Sequence, residues 1–289
     1  VKRAGAIVSW TFVGLHALAL GLGLFGLLVA IPHPELFAGN APAVTFYTQA
    51  LNNTGGLGML LGTLAMLAFG LWQYGPRRTL IFFVAACVIS AAAELTGTKT
   101  GWPFGGYEYT SFLGPKLLGR VPVAVPLSWF YMGFASYVLA DALVKFRGAR
   151  EPDGPPARTR TLWSIVYGTV LLVSWDLVLD PSMAAPNMQY IHFWVWHETG
   201  PYYGMPLRNF IGWSGTGLLF IAAGRLAWRE ADAPAVAIGV PLAVYAINII
   251  WSTILSVSAG IWPAAIAAIG FCLVLPAALA LSGARPARA

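Results

Sequence analysis

Long apolar runs recur along the whole chain, separated by short polar segments or by clusters of glycine, proline and aromatics. Eight runs of roughly 18 to 23 residues are long enough for α-helices to cross a ~30 Å hydrocarbon core. They lie at about 8–31, 55–73, 80–97, 123–144, 162–180, 209–227, 236–257 and 261–282. The pattern predicts an all-α integral membrane protein, a bundle of about eight transmembrane helices. One linker stands out, FRGAREPDGPPARTRT at 146–161, rich in Pro, Gly and Arg, and it divides the chain into two four-helix halves. No repeat relates the halves, so residues 1–289 read as a single transmembrane domain. The first run is too long and too glycine-rich for a removed signal peptide and is expected to be retained.

Composition agrees with the pattern. Of 289 residues 58% are hydrophobic and only 10% charged, against about 25% in soluble domains. Charge then orients the chain. If Lys2 and Arg3 are cytoplasmic, eight crossings place all of the 17 basic residues inside except Lys99, Lys116, Arg120 and Arg208. That bias is the one expected of cytoplasmic loops, and it predicts both termini in the cytoplasm and a multi-pass protein of the cell membrane. The net charge of +6 therefore reports orientation in the lipid bilayer. The basic residues are scattered over separate loops and do not form the continuous surface that a nucleic-acid partner needs.

Several motif matches carry no chemistry. GLGLFG at 21–26 fits a nucleotide-loop pattern, yet it sits inside an apolar run with no preceding strand, so it reads as a helix-packing face. HETGP at 197–201 begins like a zinc-protease motif and lacks the second histidine. Cys87 and Cys272 both lie in apolar runs and read as buried free thiols.

The acids are distributed unevenly. Of 11, Glu151, Asp153, Glu230 and Asp232 fall in cytoplasmic loops, Asp141 near an inner helix end and Glu35 in the first outer loop. Glu94, Glu108, Asp176, Asp180 and Glu198 gather at the outer half. An acid inside the membrane costs roughly 2.5 to 3.5 kcal/mol at a helix centre, so it persists where it lines a cavity, pairs or acts. Asp176 and Asp180, in SWDLVLDPS, are four residues apart and share a helix face. Two carboxyls that close repel as anions, so at least one is expected to hold its proton, which makes the pair a candidate general acid. The plainer roles are a helix terminator for Asp180 before Pro181, a helix–helix partner for Asp176, and a pairing of Glu94 with Lys99.

Around these acids lie polar stripes and aromatics. Ser90 and Glu94 share a side of the third run, Asn209, Trp213 and Thr216 a side of the sixth, and Asn248, Ser252 and Ser256 a side of the seventh. The segment 181–208 carries His192, His197 and Glu198 among Tyr190, Phe193, Trp194, Trp196, Tyr202 and Tyr203. IHFWVW at 191–196 is too apolar for an exposed loop and is expected to lie over the helix ends as a lid. The stripes and lid together describe a wet pocket in a greasy bundle.

AELTGTKTGWPFGGYEYT (93–110), VPLSWFYMG (125–133), SWDLVLDP (174–181) and HETGPYYGMPLRNFIGWSGTG (197–217) together resemble the membrane-bound carotenoid 1,2-hydratases, the group containing bisanhydrobacterioruberin hydratase and the hydratases of monocyclic carotene pathways. The resemblance runs from the second apolar run to the eighth. It implies addition of water to the terminal double bond of an acyclic carotenoid end, giving a tertiary alcohol with no redox change, no organic cofactor and no metal. It also implies a carotenoid substrate, and a sugar transferase as the pathway enzyme that acts next. Such chemistry needs a proton donor, aromatic faces for a cation and a base that steers water. Asp176 is the first choice of donor, with Glu94 and Asp180 setting its proton and orienting water, and His197 and Glu198 after them. Trp102, Phe104, Tyr107, Tyr109, Trp129, Trp175, Asn209, Trp213 and Asn248 are the candidates for the end-group pocket.

Two other classes use similar features. A magnesium-dependent intramembrane prenyltransferase also places aspartates four apart, to bind diphosphate through the metal; only one DxxxD is present, with few basic residues near it. An isoprenoid carrier or transporter would use the same polar cavity, and no inverted repeat supports it.

Overall fold

The computed structural model describes residues 2–37, 39–149, 154–186, 191–229 and 233–274. In chain order the elements are α1 (Lys2–Phe25), α2 (Ala41–Gln73), α3 (Pro76–Thr100), β1 (Tyr107–Tyr109), β2 (Lys116–Leu117), β3 (Val121–Pro122), α4 (Ala124–Gly148), α5 (Ala157–Ala184), β4 (Trp194–Trp196), α6 (Arg208–Leu226), α7 (Gly239–Ser258) and α8 (Trp262–Ile269). π-Helical turns, Gly26–Ala30 and Gly270–Val274, extend α1 and α8. Arg150, Glu151, Asp153, Tyr190, Glu230, Asp232, Arg285 and Arg288 fall outside the described residues, as does the end of the eighth apolar run.

The protein is an all-α membrane protein. Among the described residues six helices, α1 to α5 and α7, contain stretches long and apolar enough to cross a bilayer. The second apolar run, 55–73, is the apolar stretch Gly55–Gln73, but the helix that carries it, α2, already starts at Ala41, because Asn40 caps it by accepting from the Ala43 N–H at 3.1 Å and Pro42 suits the first turn. Hydropathy registers apolarity and is blind to such a start. The linker shortens to 149–156, since α4 reaches Gly148 and α5 begins at Ala157.

α4 is the axis of the bundle. In its apolar stretch 78% of the residues are buried, against 22% in α1, so α4 faces protein on nearly every side while α1 turns most of its surface to lipid. α3 and α5 both end at the same end of the bundle, and α6 starts there. That common end receives Glu94 from α3, Asp176 and Asp180 from α5, and Asn209 from α6.

α5 does not stop at Asp180. It runs through Pro181 to Ala184, although proline has no N–H to give the carbonyl four residues back. That carbonyl belongs to Leu177, and the Tyr202 hydroxyl donates to it at 2.7 Å. The loop after β4 thus satisfies the acceptor that the proline leaves open.

The same end is roofed by a two-stranded antiparallel sheet. β1 pairs with β4 in the register Tyr107↔Trp196, Glu108↔Val195, Tyr109↔Trp194. The pairing extends at both ends, through the Thr110 N–H to the Phe193 carbonyl at 3.0 Å and the His197 N–H to the Gly106 carbonyl at 2.8 Å. Strand alternation turns Tyr107, Tyr109 and Trp194 inward and leaves Glu108 and Val195 exposed. The Phe193 N–H also donates to the Met183 carbonyl at 2.9 Å, which ties the roof to α5.

Candidate active site

Glu94 sits in the last two turns of α3, 4% exposed. Its partners are not Lys99 but three neutral donors. The hydroxyls of Tyr107 and Tyr109 both donate to Oε2, the latter at 2.9 Å, and the Trp129 indole N–H donates to Oε1 at 2.9 Å. The chain reaches this geometry because α3 ends on Gly101 in the left-handed conformation, at φ +78°, and turns back over its own end. Phe104 then wedges between α3 and α6 at Gly97 and Gly212, where an added Cβ would stand 2.7 and 2.4 Å from its ring. Burial, with Glu94 beside them, pushes both β1 phenols well above the ordinary tyrosine value. Tyr107 and Tyr109 therefore remain O–H donors.

Asp176 and Asp180 are 0% and 4% exposed. The Asn209 amide bridges them, donating to Asp176 Oδ2 at 3.1 Å and to Asp180 Oδ2 at 2.5 Å. One donor thus holds the two carboxyls side by side. Carboxylates only accept, so two held this close repel unless one of them carries a proton. Asp176 Oδ1, buried with no donor directed at it, is the oxygen with a place for such a proton. Two acids that share a helix face and a donor form an arrangement suited to general acid chemistry.

Between Glu94 and this pair lies a cavity of about 50 Å³, counted as the space open to the centre of a water-sized sphere. A water needs roughly 10 to 15 Å³ on that measure, so the cavity has room for a few. Glu94, Asp180 and Asn209 contribute its polar wall, while Asp176 stands behind Asp180 and does not line it. The remainder is largely aromatic. Trp129 and Trp213 lie 4.2 Å apart between ring centroids, and Trp175 meets Trp213 edge-on at 5.9 Å. Phe104, Tyr107, Tyr109, Trp194 and Trp196 complete that wall.

Of the residues singled out from sequence, Glu94, Asp180, Phe104, Tyr107, Tyr109, Trp129, Trp175, Asn209 and Trp213 thus meet around one space. Others lie elsewhere. Trp102 is 71% exposed. His197 is exposed beside Glu108, with Nε2 4.0 Å from its Oε2. Glu198 is exposed too; it pairs with Arg208 and accepts from the Gly106 N–H at 3.2 Å, and these partners hold its carboxyl below the usual carboxylate range. Asn248 belongs to a separate buried cluster, where it accepts from the Tyr131 hydroxyl and bonds His16 Nε2, both at 3.0 Å. Met59, Leu113, Val125, Ser128, Leu179 and Met183 line the cavity and carry no signal in the sequence beyond being ordinary helix and loop residues. Among the described residues no group of three His, Cys, Asp or Glu is placed to hold a metal ion.

Comparison with known proteins gives two matches. The profile of a family described as carotenoid biosynthesis protein covers residues 54–275, which include every residue of the cavity wall. The chain is also 37% identical over 158 residues to the bisanhydrobacterioruberin hydratase of Haloarcula japonica, a stretch that is 54% of this chain and 48% of that relative. The chain so aligned spans about half the length of the curated relative. No solved structure matches.

Proposed function

The chain belongs to the carotenoid biosynthesis protein family, and from that premise we propose that it is a carotenoid hydratase, a hydro-lyase that adds water to the terminal double bond of an acyclic carotenoid end without cofactor or metal. The observation that supports this most is the placing of Glu94 opposite the Asp176–Asp180 pair across one aromatic-walled, water-sized cavity. The relative's name, a hydratase, points the same way.

The steps follow from the positions. Asp180, on the cavity wall, delivers the one proton of the aspartate pair to the less substituted alkene carbon; the π pair becomes the new C–H bond, and the other carbon becomes a tertiary cation. Between turnovers Asp176, which does not line the cavity, holds that proton and passes it to Asp180. The faces of Trp129, Trp175 and Trp213 and the negative charge of Glu94 stabilise the cation. Water attacks it, its oxygen lone pair forming the C–O bond, and the surplus proton passes to Glu94. That proton returns to the aspartates through the water of the cavity. The net change is alkene plus water to tertiary alcohol, with every acid restored. This assignment gives delivery to the wall-lining Asp180 and makes Asp176, the first choice from sequence, its proton reserve.

With cytoplasmic termini the acids lie at the outer face of the cell membrane. The test is expression in a host that accumulates an acyclic carotenoid, followed by mass analysis of its pigments. The expected result is a gain of one or two waters. Unchanged pigment, with the protein present in the membrane, overturns the reading.

A further inference from the structure

The reaction cavity is far too small for a carotenoid. A rigid polyene whose end reached the acids would have to leave the cavity along some path, and that path must be apolar and open to lipid.

A second cavity of about 70 Å³ lies next to the first, between α1, the middle of α2 and the roof, with Leu20, Leu22, Gly26, Gly55, Phe193 and Trp251 among its walls. One layer of side chains separates the two. Leu113 lines the first cavity, and a Cβ placed on Gly55 of the second would stand 3.0 Å from Leu113 Cδ2 and 3.7 Å from the Phe193 ring. The roof itself faces both ways, since Trp194 lines the first cavity and its neighbour Phe193 the second. On its far side the second cavity reaches lipid beside Leu22, which is 57% exposed. There α1 changes to a π-helical turn at Gly26, and such turns mark functional sites in many helices.

Building on the hydratase reading, we propose that this second cavity is the subsite for the polyene tail. Its occupant is the conjugated, rigid apolar chain of the same molecule whose end reacts at the acids. Continuity decides this, because the groove runs from lipid to the Leu113–Phe193 partition and the reactive end lies just beyond. Leu113 and Phe193 must part to admit the end. α1, which forms the lipid side of the groove, lies outside the segment matched by the family profile, whereas the reaction cavity lies wholly within it. The lipid side of the groove is therefore built from a different part of the chain than the chemistry, while Gly55, Phe193 and Trp251 on its inner side belong to the matched segment.

Gly26→Phe tests the proposal. A Cβ at Gly26 meets nothing within 4 Å, and the same is true of Gly21, which does not line the groove. Gly21→Phe is thus the control for bulk added to α1. Two substrates with the same terminal double bond are compared, a full-length acyclic carotenoid and a short acyclic isoprenoid that ends within the reaction cavity. Gly26→Phe should cut turnover of the long substrate roughly tenfold or more, the order by which filling an apolar subsite discriminates, and leave the short one near the wild-type rate. Gly21→Phe should hydrate both normally. An unchanged long-to-short ratio, or equal loss of both substrates in Gly26→Phe alone, overturns the tail subsite. The polyene absorbance that co-purifies with each protein decides the matter even if no substrate is hydrated. Pigment retained by wild type and Gly21→Phe but lost from Gly26→Phe supports the subsite, and equal retention by all three overturns it.

Discussion

Two acidic regions of the molecule are handled in opposite ways. At one end of the bundle, Asp141 is met by a cation: Lys145, one turn on, donates to Oδ2 at 2.6 Å, while the Ser164 hydroxyl donates to Oδ1 at 3.0 Å. At the other end, Glu94, Asp176 and Asp180 have only neutral partners among the described residues, namely two phenols, an indole and an amide. A buried carboxyl normally calls for a counter-charge. Its absence from one end, beside a stack of indoles, suits the cation of the proposed reaction. On that reading the difference separates an acid that holds the structure together from acids held ready for chemistry.

The comparison breaks most visibly at the aspartates. Asp180→Asn keeps the side-chain shape and removes the acid, so hydration should fall by about 100- to 10,000-fold, the usual worth of general acid catalysis, with carotenoid still bound. Asp176→Asn should reduce turnover less, because delivery from Asp180 survives while resupply slows. The reverse order would make Asp176 the donor, and full activity in both would end the carboxyl mechanism. Glu94→Gln should come next, measured as a lower kcat with little change in KM. Tyr107→Phe and Tyr109→Phe each remove one hydrogen bond to a charged acceptor, worth ~1.5 to 3 kcal/mol, and should each lower kcat about tenfold.

The other half of the comparison is sharpened by Asp141→Asn. It should leave the hydration rate within a factor of ~2 while lowering the thermal midpoint, since a partly buried pair loses one charge; a large loss of turnover with no loss of stability would erase the contrast. The smallest effect belongs to the exposed latch of Glu198. Its folded carboxyl is held low by Arg208 and the Gly106 N–H, so its contribution is present above the unfolded value of about 4.3. It is lost as pH falls through the lowered folded value. Hydrogen exchange in residues 194–206 should quicken over that acid window in wild type and lack the transition in Glu198→Gln.

Apolar runs and clustered acids announced the helices and most of the polar wall, because membrane burial penalises every charge and leaves the surviving ones conspicuous. Helix starts such as Ala41 were hidden, since a cap is local hydrogen bonding and not hydropathy. The β1–β4 pairing was also hidden: three-residue strands whose partners stand 87 positions apart, as Glu108 and Val195 do, with the whole of α4 and α5 between them, have too little pattern to declare their partner. Trp102 and Trp129 look alike in sequence, yet one faces outward and the other holds Glu94. Only the turn at Gly101 and the packing of Phe104 between two glycines decide which aromatic goes in.

Pro181 looks like a flaw in α5, and its repair by Tyr202 gives the loop beyond β4 a mechanical role. Any movement that withdraws Tyr202 strands the Leu177 carbonyl in apolar surroundings, at a cost of about 1 to 3 kcal/mol. That penalty acts as a restoring spring one turn from the acids. Under the proposed mechanism it would keep the loop seated while a cation exists beneath it, so that the cation meets the few waters inside before the bulk.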